Sequence, residues 1–323
     1  MKSLSLVIIS SLLVNTTHAL VLTSVNQNGV VEITATQADN IVVSFEGDSL
    51  RINNGEPNTG PITVDQIKGL NLVGSDDPNT IDFTQFNHPK LRMNYRINVL
   101  AKGGDDTVIG NNIPRVINGE TNYIDLGSGN NTLNLENSPL IFFVIKNDLS
   151  ANDTIVGTNL DINFLWRLND SDSTHNSTIE IKQDENNTEF IELIYDNGTT
   201  SSVTKLRGIT LLDIKCSNGN QQINVSNFEN NAVDYITYNF GTGNNIINTP
   251  FLEDVKQHII GSENQTSIDT LNLFSSNLNL EHDLELGVLE TNTAQGYVVY
   301  LNMEEVNVSS QEIDIESDIW QVR

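Results

Sequence analysis

The chain of 323 residues has one cysteine, Cys216, so no intrachain disulfide can form. Stability must come from packing and from backbone ladders. Basic residues are scarce, with 16 Lys and Arg against 42 Asp and Glu and a formal net charge of −26. With no basic patch to release counterions, nucleic acid and anionic lipid are excluded as partners. Aromatics make up only 6% of residues, few for a sugar-processing groove. No G-x-S-x-G, P-loop or dinucleotide fingerprint occurs, and His88, His175, His258 and His282 show no metal spacing such as H-E-x-x-H. The apolar run Leu4 to Val14, about eleven residues, is too short for a hydrocarbon core of roughly 30 Å. With Lys2 before it and Thr17-His18-Ala19 after it, it reads as a secretory signal peptide over 1–19. The expected location is secreted or cell-surface, with no transmembrane segment after signal removal.

A sustained 3.6-residue apolar period is also missing, and β-branched residues and Asn crowd short segments. The organising unit is Ala101-Lys102-Gly103-Gly104-Asp105-Asp106-Thr107-Val108-Ile109-Gly110, a turn of glycines and carboxylates between two short strands. Such a unit cannot bury its own apolar face, and it makes sense only if repeated. A polar anchor followed two residues later by an apolar residue recurs at Asn79/Ile81, Asp106/Val108, Asn131/Leu133, Asp153/Ile155, Ser177/Ile179, Ser201/Val203, Gln221/Ile223, Asn245/Ile247 and Asp269/Leu271. The anchor intervals run from 20 to 27 residues.

This pattern predicts an all-β fold, a single-stranded right-handed parallel β-helix (a solenoid) of about ten coils with roughly 24 residues per coil. At a strand spacing of about 4.8 Å its length is near 45–50 Å. Each coil holds two clear strands around the anchor turn and a vaguer third, as at Arg115-Val116-Ile117, Leu140-Ile141-Phe142 and Leu160-Asp161-Ile162. Residues 20–60 form the N-terminal β cap, with strands at Leu20–Val25, Val30–Thr36, Ile41–Phe45 and Leu50–Ile52. The helix proper occupies 61–300 and an acidic C-terminal coil or cap 301–323.

The turn Gly103-Gly104-Asp105-Asp106-Thr107-Val108, and with better glycine spacing Gly127-Ser128-Gly129-Asn130-Asn131-Thr132-Leu133 and Gly241-Thr242-Gly243-Asn244-Asn245-Ile246-Ile247, resembles the nonapeptide of hemolysin-type (RTX-like) repeats. The resemblance implies a secreted stacked-coil protein that binds Ca²⁺ through turn carboxylates. It departs from that family in having Asn at two anchors and copies about 24 residues apart, so a tandem ion ladder is not expected. The coil length is similar to that of pectate lyase-like β-helices. Two carboxylate groups are candidate metal ligands: Asp76 and Asp77 with Asp105 and Asp106, and the evenly spaced Asp148, Asp172 and Asp196. Stacked carboxylates repel, and a hard oxygen-ligated ion such as Ca²⁺ reverses that sign. The competing reading of the anchors is a polar ladder of Asn side chains bonded to their own and neighbouring turns.

The function expected is an exported, acidic structural or adhesive surface protein, Ca²⁺ being the one cofactor in view. An extracellular polymer or surface component is the expected partner, and self-association stays open. The alternatives are a carbohydrate-active, polysaccharide lyase-like β-helix enzyme, with Lys146, Arg167 or Lys205 as base, and a binding module for an extracellular polymer. No catalytic residue is assigned.

Overall fold

The computed structural model describes residues 21–93, 95–110, 122–136, 138, 143–146, 151–157, 164–169, 176–216, 218–226, 233–252, 254–262, 267–274, 280–283, 288–291 and 297–309. The signal-peptide segment, the segments 115–117, 140–142 and 160–162 expected as third strands, Asp148 and Asp172 lie outside these. Among the described residues there is no α-helix, only a 3₁₀ turn at Val64–Gln66, and strands fall into two thirteen-stranded sheets.

The first sheet runs in space as Val21–Val25, Val30–Ala35, Gly69–Val73, Ile97–Leu100, Asn122–Asp125, Phe143–Lys146, Phe164–Asn169, Leu211–Lys215, Tyr235–Asn239, Lys256–Ile260, Tyr297–Leu301, Val288–Thr291 and Leu280–Asp283. The second runs as Ser49–Ile52, Asn40–Glu46, Thr80–Asp82, Thr107–Ile109, Thr132–Asn134, Thr154–Val156, Ser201–Arg207, Ile191–Asp196, Ser177–Gln183, Gln221–Val225, Ile246–Pro250, Thr270–Phe274 and Glu305–Ser309. Through most of its length the chain alternates between them, one strand in each per repeat. From Val30–Ala35 to Tyr297–Leu301 every neighbouring pair of the first sheet is parallel. Antiparallel pairs close its two ends, and a hairpin, Asn40–Glu46 with Ser49–Ile52, closes one end of the second sheet. The four strands read from residues 20–60 all form, within a residue or two of their expected bounds.

The shortest strands contribute a single side chain to the interior. Thr80–Asp82 and Thr107–Ile109 each bury their middle residue, and longer strands alternate buried with half-buried. Parallel register puts those residues one above another. Ile81, Val108, Leu133 and Ile155 form one row, and Ile179, Ile223, Ile247 and Leu271 another, all fully or almost fully buried. On the opposite sheet Ile33, Leu72, Val99, Ile124 and Ile145 do the same. These rows belong to one apolar core that runs from Val31 to Tyr300.

The row on the second sheet is interrupted once. Ile155 pairs with Leu206, not with Ile179, because Ser177–Gln183, Ile191–Asp196 and Ser201–Arg207 form an antiparallel meander within the second sheet. The Ser201/Val203 repeat is therefore corrected: Val203 stands half-buried on the outer side, while Ser202, Thr204 and Leu206 point inward. Two turn signals drive this, Asp184-Glu185-Asn186-Asn187 and Asn197-Gly198, each of which reverses the chain.

The face assignment has a direct check. Ile223→Ala opens a cavity in a packed row and should cost about 2–5 kcal/mol, whereas Val203→Ala should cost under about 1 kcal/mol. Denaturant melts giving the reverse order would overturn the inward and outward assignment.

Candidate functional site

The candidate site is the line of turns that leads into the second sheet. At each turn the backbone of one repeat lies against the next. A Cβ on Gly127 would sit 1.7 Å from the Lys102 carbonyl oxygen, and one on Gly129 2.0 Å from that of Gly104. Both glycines also have positive φ, so both reasons for glycine apply here. Gly243 stands 2.4 Å, by the same measure, from the Gly219 carbonyl. The glycine spacing that resembles a calcium repeat thus serves close backbone stacking.

Stacked turns have amides that no strand ladder reaches, and the anchor side chains accept from them. The Asn79 amide donates to Asp106 Oδ1 (2.7 Å), Asp106 to Asn131 Oδ1 (2.9 Å) and Asn131 to Asp153 Oδ1 (2.7 Å). Past the meander, Gln221 donates to Asn245 Oδ1 (3.1 Å), Asn245 to Asp269 Oδ1 (3.0 Å) and Asp269 to Glu304 Oε2 (2.7 Å). Asn79, Asp106, Asn131, Asp153, Gln221, Asn245 and Asp269 are all buried.

The residue before each anchor makes a second ladder that runs the other way. Asn130 donates back to Asp105 Oδ1 (2.8 Å), Asn152 to Asn130 Oδ1 (3.0 Å) and Val203 to Asn152 Oδ1 (2.8 Å). In the second half Asn220 donates to Asn176, Asn244 to Asn220 and Ile268 to Asn244, each at 2.9 Å. Two adjacent residues thus tie each turn to both neighbours, in opposite directions. A third row, Asn224, Asn248, Asn272 and Asn307, links side-chain amide to side-chain oxygen at 2.8–3.0 Å along the outer face of the second sheet. The second and third rows went unread in the sequence, although a polar residue before each anchor and Asn three after the later anchors were visible signals.

Asp106 differs from the Asn anchors of the inner ladder. Asn79, Asn131 and Asn245 each donate Nδ2 to the carbonyl two residues earlier, of Asp77, Gly129 and Gly243. An ionised carboxylate cannot donate, and Asp106 Oδ2 is buried with no hydrogen-bond partner among the described residues. Burial pushes the Asp106 carboxyl up to about 6, against the lowering effect of the Asn79 hydrogen bonds, with repulsion from Asp105 adding to the rise.

Of the other predicted metal ligands, Asp76, Asp77 and Asp105 are exposed. Their turns touch, since a Cβ on Gly104 would lie 2.5 Å from the Asp77 carbonyl carbon. Asp196 ends the strand Ile191–Asp196 and accepts from the Gly198 amide (2.7 Å). Among the described residues no three or more His, Cys, Asp or Glu side chains are gathered to hold a metal ion. Lys205 is engaged by Asp184 (2.7 Å) and Glu192 (3.3 Å). Those hydrogen bonds, Asp184 first, raise its pKa and keep it protonated, the opposite of what a catalytic base needs. The side chains of Lys146 and Arg167 lie outside what is described. The chain matches no protein-family model and no curated protein sequence.

Asp106 gives a pH prediction. Its pKa is raised from 3.8 to about 6 in the fold, so its carboxyl is accommodated at low pH and stability is lost as pH rises through about 6. Asp106→Asn supplies the missing Nδ2 donor and removes that charge. It should stabilise the protein by about 1–3 kcal/mol above pH 7 and flatten the pH dependence between roughly 4 and 6. Melts at several pH values in which the variant retains the parent's slope would rule this out.

Proposed function

We propose that the chain is an exported structural or adhesive protein, built as a right-handed parallel β-helix whose coils are clamped turn to turn. The observation that carries this reading is the pair of opposed ladders. The anchor side chains, and the residues before them, are engaged with neighbouring turns along the molecule instead of converging on one cleft. Alternation between two parallel sheets at intervals of about one repeat supports the same architecture. A surface of excess carboxylates keeps such a rod soluble and blunts pairing of its strand edges. The N-terminal apolar run and its flanks support export.

The test is localisation of the full chain, expressed with residues 1–19 in place. Recovery from the medium or the cell surface is expected, as an elongated particle by small-angle scattering. Folded chain retained inside the cell, with its first residues uncleaved, would defeat the export reading.

Calcium belongs to this proposal through Asp76, Asp77 and Asp105, exposed on two touching turns, and through Asp148, Asp172 and Asp196. Screening alone stabilises repelling carboxylates, and NaCl should raise the melting temperature for that reason. Under the calcium reading, millimolar CaCl₂ raises it further than NaCl of equal ionic strength, the added stability approaching about 2.7 kcal/mol at a hundredfold excess over Kd. Equal responses to the two salts would remove calcium and leave the polar scaffold.

A further inference from the structure

The meander that interrupts the stack builds a groove, and we propose that this groove binds a neutral, hydroxyl-rich oligosaccharide. Ile191–Asp196 runs antiparallel to Ser177–Gln183 with Asp196 opposite Thr178, so the turn Asn197–Gly198 stands beside the start of Ser177–Gln183. Asp196, Asn197 and Gly198 form one wall. The floor and opposite wall are the starts of Ser177–Gln183, Gln221–Val225 and Ile246–Pro250. The cavity between them is about 470 Å³, within the ordinary range for small-molecule sites.

The chemistry of the lining selects the ligand. Asn220 and Asn244 sit in successive turns of the outer ladder, so their amides recur at about one strand spacing, near 4.8 Å. The oxygen of each is already committed, Asn220 Oδ1 to the Asn244 amide and Asn244 Oδ1 to the Ile268 amide. That bond also settles which way each side chain is turned. Among the described residues nothing accepts from their Nδ2 groups, and both side chains are exposed at the groove. What this wall offers is therefore a row of donors. Across from it Asp196 uses Oδ1 to hold the Gly198 amide, and its Oδ2 takes no bond from a described residue. Thr178 adds a hydroxyl, and Ile246, 40% exposed, adds an aliphatic surface.

To a metal ion this lining offers one carboxylate, Asp196, because the amide oxygens are occupied and amide hydrogens face the space. A polyanion does not suit it either, given Asp196 and a net charge of −26. Hydroxyl groups fit both sides, accepting from the amides and donating to the carboxylate, while the C–H face of a sugar ring covers Ile246. The inference deepens the adhesive reading by naming the class of partner. It rests on that reading only for the setting in which such a polymer is met.

The experiment uses the purified full chain, ¹⁵N-labelled, titrated with cellohexaose, maltohexaose and xylohexaose, and in parallel with hexagalacturonate. At least one neutral hexasaccharide should shift the side-chain amide signals of Asn220 and Asn244, and hexagalacturonate should not. Asn220→Asp and Asn244→Asp keep the oxygen that the next turn needs, as Asp105 does at the equivalent place, but remove the donor. Each should weaken binding about tenfold or more with an unchanged melting temperature. No shift with any neutral probe, an equal shift with hexagalacturonate, or unaltered affinity in both variants would each overturn the proposal. Any of those results on a folded chain already found outside the cell leaves the structural reading standing. Intracellular retention defeats that reading without touching the binding result.

Discussion

The constraint on which everything else depends is the unmet hydrogen bonding of stacked turns. Parallel strands satisfy their amides sideways, but where the chain leaves one sheet for the other its backbone lies against a neighbouring backbone with no ladder to join. A buried amide without an acceptor costs roughly as much as any single packing contact contributes. The anchors answer this with one side-chain oxygen per turn, and the preceding residues answer it in the reverse direction. Because the two bonds oppose each other, a turn cannot slide along the stack without breaking one of them. Register is held at the turns as much as in the sheets.

The same geometry explains why Asp is not equivalent to Asn in this line. Asp269 has both oxygens engaged, Oδ1 by Asn245 and Oδ2 by the Ser262 amide. Asp106 has only its Oδ1 so engaged. One residue type therefore stands in two environments eight strands apart in the second sheet, with both oxygens satisfied in one and one oxygen unmet in the other. The difference comes from whether a neighbouring loop brings a donor to the second oxygen.

Much of this was legible from residues alone. The apolar member of each repeat, from Ile81 to Leu271, goes inward as its spacing required, with Val203 the exception. The polar anchors form the ladder that Asn-rich turns suggested, and the N-terminal strands fall where alternation placed them. What escaped was the strand Ile191–Asp196. A fixed count of 24 residues passed over it and landed on Ser201, where a count that respected Asn197-Gly198 as a hairpin signal would have stopped. Periodicity reports how far apart units lie, whereas turn chemistry reports which way the chain goes, and at the meander the two disagreed. The groove was illegible for the same reason, since it exists only because an antiparallel excursion stands beside parallel strands. The Asp76 and Asp105 turns do adjoin, but sequence spacing cannot say whether adjoining carboxylates converge on one point.

The meander also marks a place where the chain makes an unusually long jump. Asn152 is bonded to Val203, 51 residues on, whereas Asn220 reaches Asn244 over 24. Both sheets cross at this level, since Phe164–Asn169 pairs with Leu211–Lys215. A doubled loop adds only about 0.6 kcal/mol of closure entropy, so the excursion is thermodynamically cheap. Repeats that pair chiefly with their neighbours in the sheets can form locally on either side of it. The stretch before the jump and the stretch after it each contain several in-register repeats, and either can start alone. The two stretches meet at one seam, joined by the Asn152–Val203 bond in one sheet and by the pairing of Phe164–Asn169 with Leu211–Lys215 in the other, so contacts of long sequence separation are concentrated at a single level of the molecule.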